Sequence, residues 1–155
     1  MDDRGEVIIY QTEDGLTKID VTMQDETVWL SQADMSKLFQ TTKQNVSLHI
    51  NNIFKDGELD SASGVKECLT TGADGKNYKT KFYNLDVIIS VGYRVKSQRG
   101  VQFRIWATNI LKEYIKKGFA MDDDRLKELG GGGYFKELLE RIRDIRASEK
   151  VFYRQ

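Results

Sequence analysis

Apolar residues alternate with polar ones near the N-terminus and again around residues 65–83, and recur three or four apart elsewhere. That pattern predicts strands at the start, a hairpin in the middle and helices for most of the rest. Val7-Ile8-Ile9-Tyr10 and Lys18-Ile19-Asp20-Val21-Thr22-Met23 read as an N-terminal β-hairpin turning through Glu13-Asp14-Gly15. Thr27-Val28-Trp29-Leu30 predicts a third short strand that delivers the chain to Ser31. Ser31 is a helix-capping residue, and Asp34 complements the positive end of the helix it opens, which should run to about Phe39. Gln40-Thr41-Thr42 is the turn, and Thr42 caps a second helix by accepting from the backbone N–H of Gln44 or Asn45. In that helix Val46, Ile50 and Ile53 mark one stripe for burial, so sheet and helices share a core.

The other side of the second helix carries Lys43, Gln44, Asn45, Ser47 and Asn51. Amide side chains pair bidentately with adenine, and Lys suits guanine O6 and N7. A helix that needs only solubility more often carries Glu and Lys pairs, as the last helix here does. Two short helices joined by a tight turn are a common way to present side chains to the DNA major groove. The order Thr42-Lys43-Gln44-Asn45-Val46-Ser47 resembles the start of recognition helices in many bacterial repressors. There a cap, two base-reading positions and a phosphate-binding Ser follow one another, and Leu48 stands where many carry Arg. The competing reading is a plain helical hairpin with a solvated polar face.

Residues 57–64 read as a loop. Strands at 65–70 and 78–83, joined through Thr71-Gly72-Ala73-Asp74-Gly75-Lys76-Asn77, form a second hairpin with Tyr78, Thr80 and Phe82 on one face and Lys79 and Lys81 on the other. A hairpin after a helix-turn-helix is the order of a winged helix. Lys76, Asn77, Lys79 and Lys81 therefore lie along a phosphate backbone or minor groove, or else blunt the strand edge against aggregation. Asn84 caps a helix through residues 85–91, and a basic connection follows with Arg94, Lys96 and Arg99, either for phosphates or simply solvated. The next helix is long, with an apolar face of Phe103, Trp106, Ala107, Ile110, Leu111 and Tyr114. Gly118 is its stop, and Trp106 is expected in the core.

The organisation expected is an α+β domain over residues 1–118, an acidic and Gly-rich linker over 119–133, and an amphipathic helix over 134–155. In the last helix Phe135, Leu138, Ile142, Ile145, Glu149 and Phe152 step by three and four, a heptad-like seam with one charged interruption. A single helix of this length is marginal alone, so it packs on the domain, pairs with a second copy, or leads into a further region that this chain lacks.

Net charge is zero over 155 residues but unevenly spread: residues 1–26 carry a balance of −6 and residues 27–118 one of +6. The middle of the chain is where a polyanion would dock, although an acidic end also serves solubility. No apolar run approaches a membrane span, and the N-terminus lacks the layout of a secretion signal. With a single cysteine, Cys68, this points to a cytoplasmic protein.

The chemistry of catalysis is thinly represented. His49 is the one histidine, a half-buried helix residue or a phosphate contact, and it forms no zinc or thiol–imidazole pair. Gly130 to Gly133 lack the Lys-Ser/Thr of a phosphate-binding loop, and Asp122-Asp123-Asp124 lack the spacing of a calcium loop. The expectation is a protein that is not an enzyme and has no cofactor or metal.

Five ordered segments carry a family resemblance: TVWLSQADMSKLF, TKQNVSLHINNIF, TTGADGKNYKTKFYNLDVIISVGYRV, RGVQFRIWATNILKEYIKKGF and GGYFKELLERIRDIRASEKVFY. Together they resemble the RhuM family of bacterial proteins, named from a virulence-associated locus, from about Glu6 onward and over the N-terminal part of its members. FRIWATNILKEYIKKG is more distantly similar to phage antirepressor domains of the Bro and KilA type. The resemblance implies DNA binding and transcription regulation, while some phage relatives act by binding other repressors.

Two functions follow from these readings. The first is a module that binds double-stranded DNA with the helix over residues 42–54. Lys43, Gln44 and Asn45 enter the major groove, with Asn51 on the same polar stripe. Thr42, Ser47, the hairpin lysines and the Arg94 to Arg99 cluster contact phosphates, and a homodimer through the 134–155 helix sets two such helices on one operator. The second is a protein-interaction module for a repressor or toxin-like partner.

Overall fold

Hydroxyl caps set the positions of the first two helices. In a computed structural model that describes residues 7–11, 18–24, 27–127 and 133–152, Ser31 precedes α1 (Gln32–Leu38). Its side chain accepts from the backbone of Asp34, whose carboxylate accepts in return from Ser31 N, a reciprocal capping box. Thr42 opens α2 (Lys43–Lys55) by accepting from Asn45 N at 3.1 Å. Gln40 between them has φ +47°, the left-handed conformation that reverses the chain between the helices.

The strands form two antiparallel three-stranded sheets. The first, in the order β1-β2-β3, pairs β1 (Val7–Gln11) with β2 (Lys18–Gln24) and β2 with β3 (Thr27–Val28). The turn expected at Glu13-Asp14-Gly15 lies outside the described residues. The second sheet, β4-β6-β5, joins β4 (Leu30–Ser31) to a hairpin of β5 (Val65–Thr71) and β6 (Asn77–Tyr83). The single strand expected at 27–30 is thus two, in different sheets, divided at Trp29.

Residues 57–64 are not loop throughout. Asp60 caps a single turn, α3 (Ser61–Gly64), by accepting from Ala62 N at 3.0 Å. Asn84 caps α4 (Leu85–Arg94), accepting from Val87 N at 3.1 Å. The basic connection at 93–100 is shorter than its composition suggests, because α4 runs to Arg94 and α5 (Gln98–Lys117) begins at Gln98. Ser97 makes the junction: its hydroxyl donates to the Phe39 carbonyl and accepts from Gly100 N at 3.0 Å. Arg104 donates to the carbonyls of Gly92 at 3.3 Å and Val95 at 2.5 Å, satisfying the end of α4.

One apolar core holds these pieces. Leu30, Met35, Leu38 and Phe39 meet Val46, Ile50 and Ile53 of α2, Tyr83 of β6, Val87, Ile88, Val91 and Val95 from α4 and its cap, and Phe103 of α5. The α5 face expected to be buried is fully covered at Phe103 and partly at Ala107, and Phe103 packs edge-on against Phe39 at 5.4 Å and Tyr93 at 6.1 Å. Trp106 corrects the expectation of a core residue: it leans on Phe103 at 5.9 Å but is 45% exposed. α5 packs through its first turns, where Gly92 of α4 leaves room for the Phe103 ring.

Contacts divide the chain into a unit over 1–109 and a second over 110–155. The second contains the end of α5, α6 (Asp123–Lys127) and α7 (Tyr134–Phe152). Residues 128–132, within the expected linker, lie outside the described residues, as do the side chains of Glu149 and Phe152. Helices and small antiparallel sheets in one chain make the fold α+β.

Candidate nucleic-acid interface

At 3.6 residues per turn, burial of Val46, Ile50 and Ile53 turns the opposite face of α2 outward. Gln44, Leu48, Asn51 and Lys55 lie along its middle and are exposed, with Leu48 at 55%. Lys43 and Ser47 stand on one flank, and Asn45 and Asn52 on the other. Lys55 lies outside the Thr42–Ser47 motif, although the same periodicity identifies it. Asn45 donates through Nδ2 to Thr41 Oγ1 at 3.1 Å, which fixes its amide against the turn. Thr42, Lys43 and Gln44 are exposed, and Ser47 is half-buried.

The second hairpin stands next to this helix through β4 and α1. Its register sets Lys81 opposite Glu67 and Lys79 opposite Leu69, so all four share one face. An open depression of ≈ 500 Å³ lies between the hairpin and the helices, lined among others by Lys43, Lys79, Lys81, Glu67, Gln32 and Tyr83. Gln32 Nε2 donates to the Tyr83 hydroxyl at 3.1 Å, tying α1 to β6 there. The turn is shaped by Gly75 at φ +77°, while the Tyr78 hydroxyl donates to Asp74 and holds that carboxyl below its usual range. Lys76 is exposed on the turn.

The cations around the α4–α5 junction are placed differently from one another. Lys96 is exposed. Arg94 donates to Glu58 at 2.7 Å and lies 3.5 Å from Asp56, so carboxylates already hold it. Arg99 is 6% exposed and donates to Gln102 Oε1 at 3.0 Å, so the fold turns it inward. Charge runs in the sequence do not reveal this, because Glu58 and Asp56 reach Arg94 from 36 and 38 positions away.

The Arg94 bond pulls the Glu58 carboxyl below its usual range. His49 is also pulled below its usual 6.5, by burial first and then by the Arg94 charge. Both groups bind protons less readily folded than unfolded. Their stabilisation is therefore complete above about pH 6.5, falls as His49 titrates in the unfolded chain, and falls further through the carboxylate range as Glu58 protonates. Thermal melts at pH 7.5 and pH 5.5 should show a lower midpoint at the acidic pH, and His49→Gln should shrink the gap. An equal gap in the variant would remove His49 from the account.

Residues 63–155, well over half of the chain, match the virulence protein RhuM family. The chain belongs to that family. The match begins within α3, so the RhuM region covers the second hairpin, α4 and all that follows, and α1 and α2 stand ahead of it. No curated protein matches the chain, and no solved structure does. Among the described residues, no helix of this RhuM-family protein is long and apolar enough to cross a membrane.

Proposed function

We propose that this RhuM-family chain is a cytoplasmic DNA-binding module of winged helix-turn-helix type, acting in transcription regulation and without catalysis of its own. The observation that carries the proposal is α2. It is capped at Thr42 and held by a buried stripe of Val46, Ile50 and Ile53, while its outer face presents Gln44 and Asn51 with Lys43 and Asn45 beside them. Such a helix suits insertion into the major groove, where the amides pair with adenine and the exposed Leu48 packs on a thymine methyl. The hairpin lysines and Lys96 suit phosphates.

Anisotropy of a fluorescent pool of random duplex DNA, titrated with the chain over a salt series, tests it. Binding should weaken steeply with salt, and Lys43→Ala/Gln44→Ala should lose affinity by at least tenfold, given about 1–3 kcal/mol for a good base contact at Gln44 and the loss of a cation at Lys43. No binding at low salt sinks the reading.

A protein-interaction module is the second reading, favoured by exposed apolar residues of α5 and α7. Ile110, Tyr114 and Ile115 on one, and Phe135, Leu139 and Ile142 on the other, are between 40% and 72% exposed. A homodimer through the 134–155 helix is one form of it, and sedimentation of the chain as a monomer at high concentration would exclude that form.

A further inference from the structure

We infer that Lys43 grips a phosphate of the DNA backbone together with Lys79 and Lys81, instead of reading a base, and that Glu67 weakens this grip. The inference rests on the DNA-binding reading and divides the work within it. Lys43 from the first turn of α2 and the two lysines of β6 line the same depression of ≈ 500 Å³. Three cations from two elements around one space match the negative oxygens of a sugar–phosphate strand, which runs continuously past both, better than they match the edge of one base.

Helix periodicity points the same way. Lys43 stands roughly a third of a turn away from the middle of the outer face. Gln44, Leu48 and Asn51 occupy that middle. Lys43 is thus turned toward the hairpin while the amide and apolar side chains face outward.

The hairpin contributes a counter-charge. Glu67 lies directly across the ladder from Lys81 and lines the same depression. A carboxylate there attracts Lys81 and repels a passing phosphate, so it lowers the affinity of the cleft. β4 covers β6 only at Phe82 and Tyr83, so the stretch bearing Lys79 and Lys81 has β5 on one side alone and keeps the space open.

The test uses the full chain and a fluorescent duplex pool, followed by duplexes selected from it, with Lys43→Ala, Lys79→Ala, Lys81→Ala and Glu67→Gln measured separately. All four positions are exposed, and circular dichroism checks that each variant folds. Each lysine variant should weaken selected and unselected duplexes alike, and the slope of log affinity against log salt should become shallower by about 0.9. Glu67→Gln should tighten binding by roughly 1.5- to 5-fold, the size of an exposed ion-pair effect. Loss of preference at one base position in Lys43→Ala with an unchanged slope overturns the inference, as does an unchanged slope in both hairpin variants. Absence of DNA binding by the unaltered chain removes the DNA reading itself, and is recorded before any variant is compared.

Discussion

Gly100→Ala is expected to destabilise the protein by about 1–3 kcal/mol, as overpacking against fixed atoms does. Local propensity argues the opposite, since Ala is favoured over Gly inside a helix by about 1 kcal/mol. The decisive fact is the close approach of Gly100 to the end of α4. A Cβ built there runs into the Val95 carbonyl oxygen, and the Val95 carbonyl carbon lies 3.1 Å away. These are backbone atoms. Arg104 donates to that same carbonyl and Ser97 ties the neighbouring turn to Phe39, so neither side can shift cheaply. Chemical denaturation of the variant reads the effect. A neutral or raised stability would mean that the α4–α5 junction is looser than its hydrogen bonds imply. Gly92→Ala is a useful companion, because its Cβ would meet the Phe103 ring, a side chain with some freedom to turn.

Phe39→Ala should be costlier still, about 3–5 kcal/mol, the range for emptying a large aromatic site in a core. Phe39 is 1% exposed, packs edge-on against Phe103, and its carbonyl accepts from Ser97. It therefore joins the α1–α2 pair to α5, and its loss removes a large share of a domain stability of about 5–15 kcal/mol. Trp106→Ala, by contrast, should cost well under half as much, because Trp106 is 45% exposed. Equal losses for the two variants would show that the Trp106 face is covered in solution. That outcome would favour a protein contact on α5.

The elements that were legible in the sequence share a common physics. Ser31 with Asp34, Thr42 with Asn45, and Asn84 with Val87 are interactions between groups three positions apart, so the chain carries both partners in one short window. The buried stripe of α2 was equally plain, since Val46, Ile50 and Ile53 repeat at helical spacing. The faces of the second hairpin followed from alternation, and α3 was missed because its four residues are too short for any period.

What escaped the sequence were facts about coverage and pairing across distance. Arg99 reads as a solvated cation until Gly100 and Val95 bring the start of α5 against the end of α4. Arg94 reads as free for phosphate until Glu58 and Asp56 close on it. Trp106 has the spacing of a core residue, yet which side chains of an apolar stripe are buried depends on how far the opposing element extends. The depression that gathers Lys43 with Lys79 and Lys81 has the same origin, because residues 36 or more positions apart meet there only through β4 and β6 pairing. The sequence by itself therefore determined the longer helices with the caps at Ser31, Thr42 and Asn84, the faces of the second hairpin and the α+β class, all of which are settled by neighbours along the chain, and not the short α3 and α6. The tertiary structure alone decided which cations stay open and which apolar faces stay uncovered, since both depend on distant segments whose approach is set by core packing and by the room left at Gly92 and Gly100.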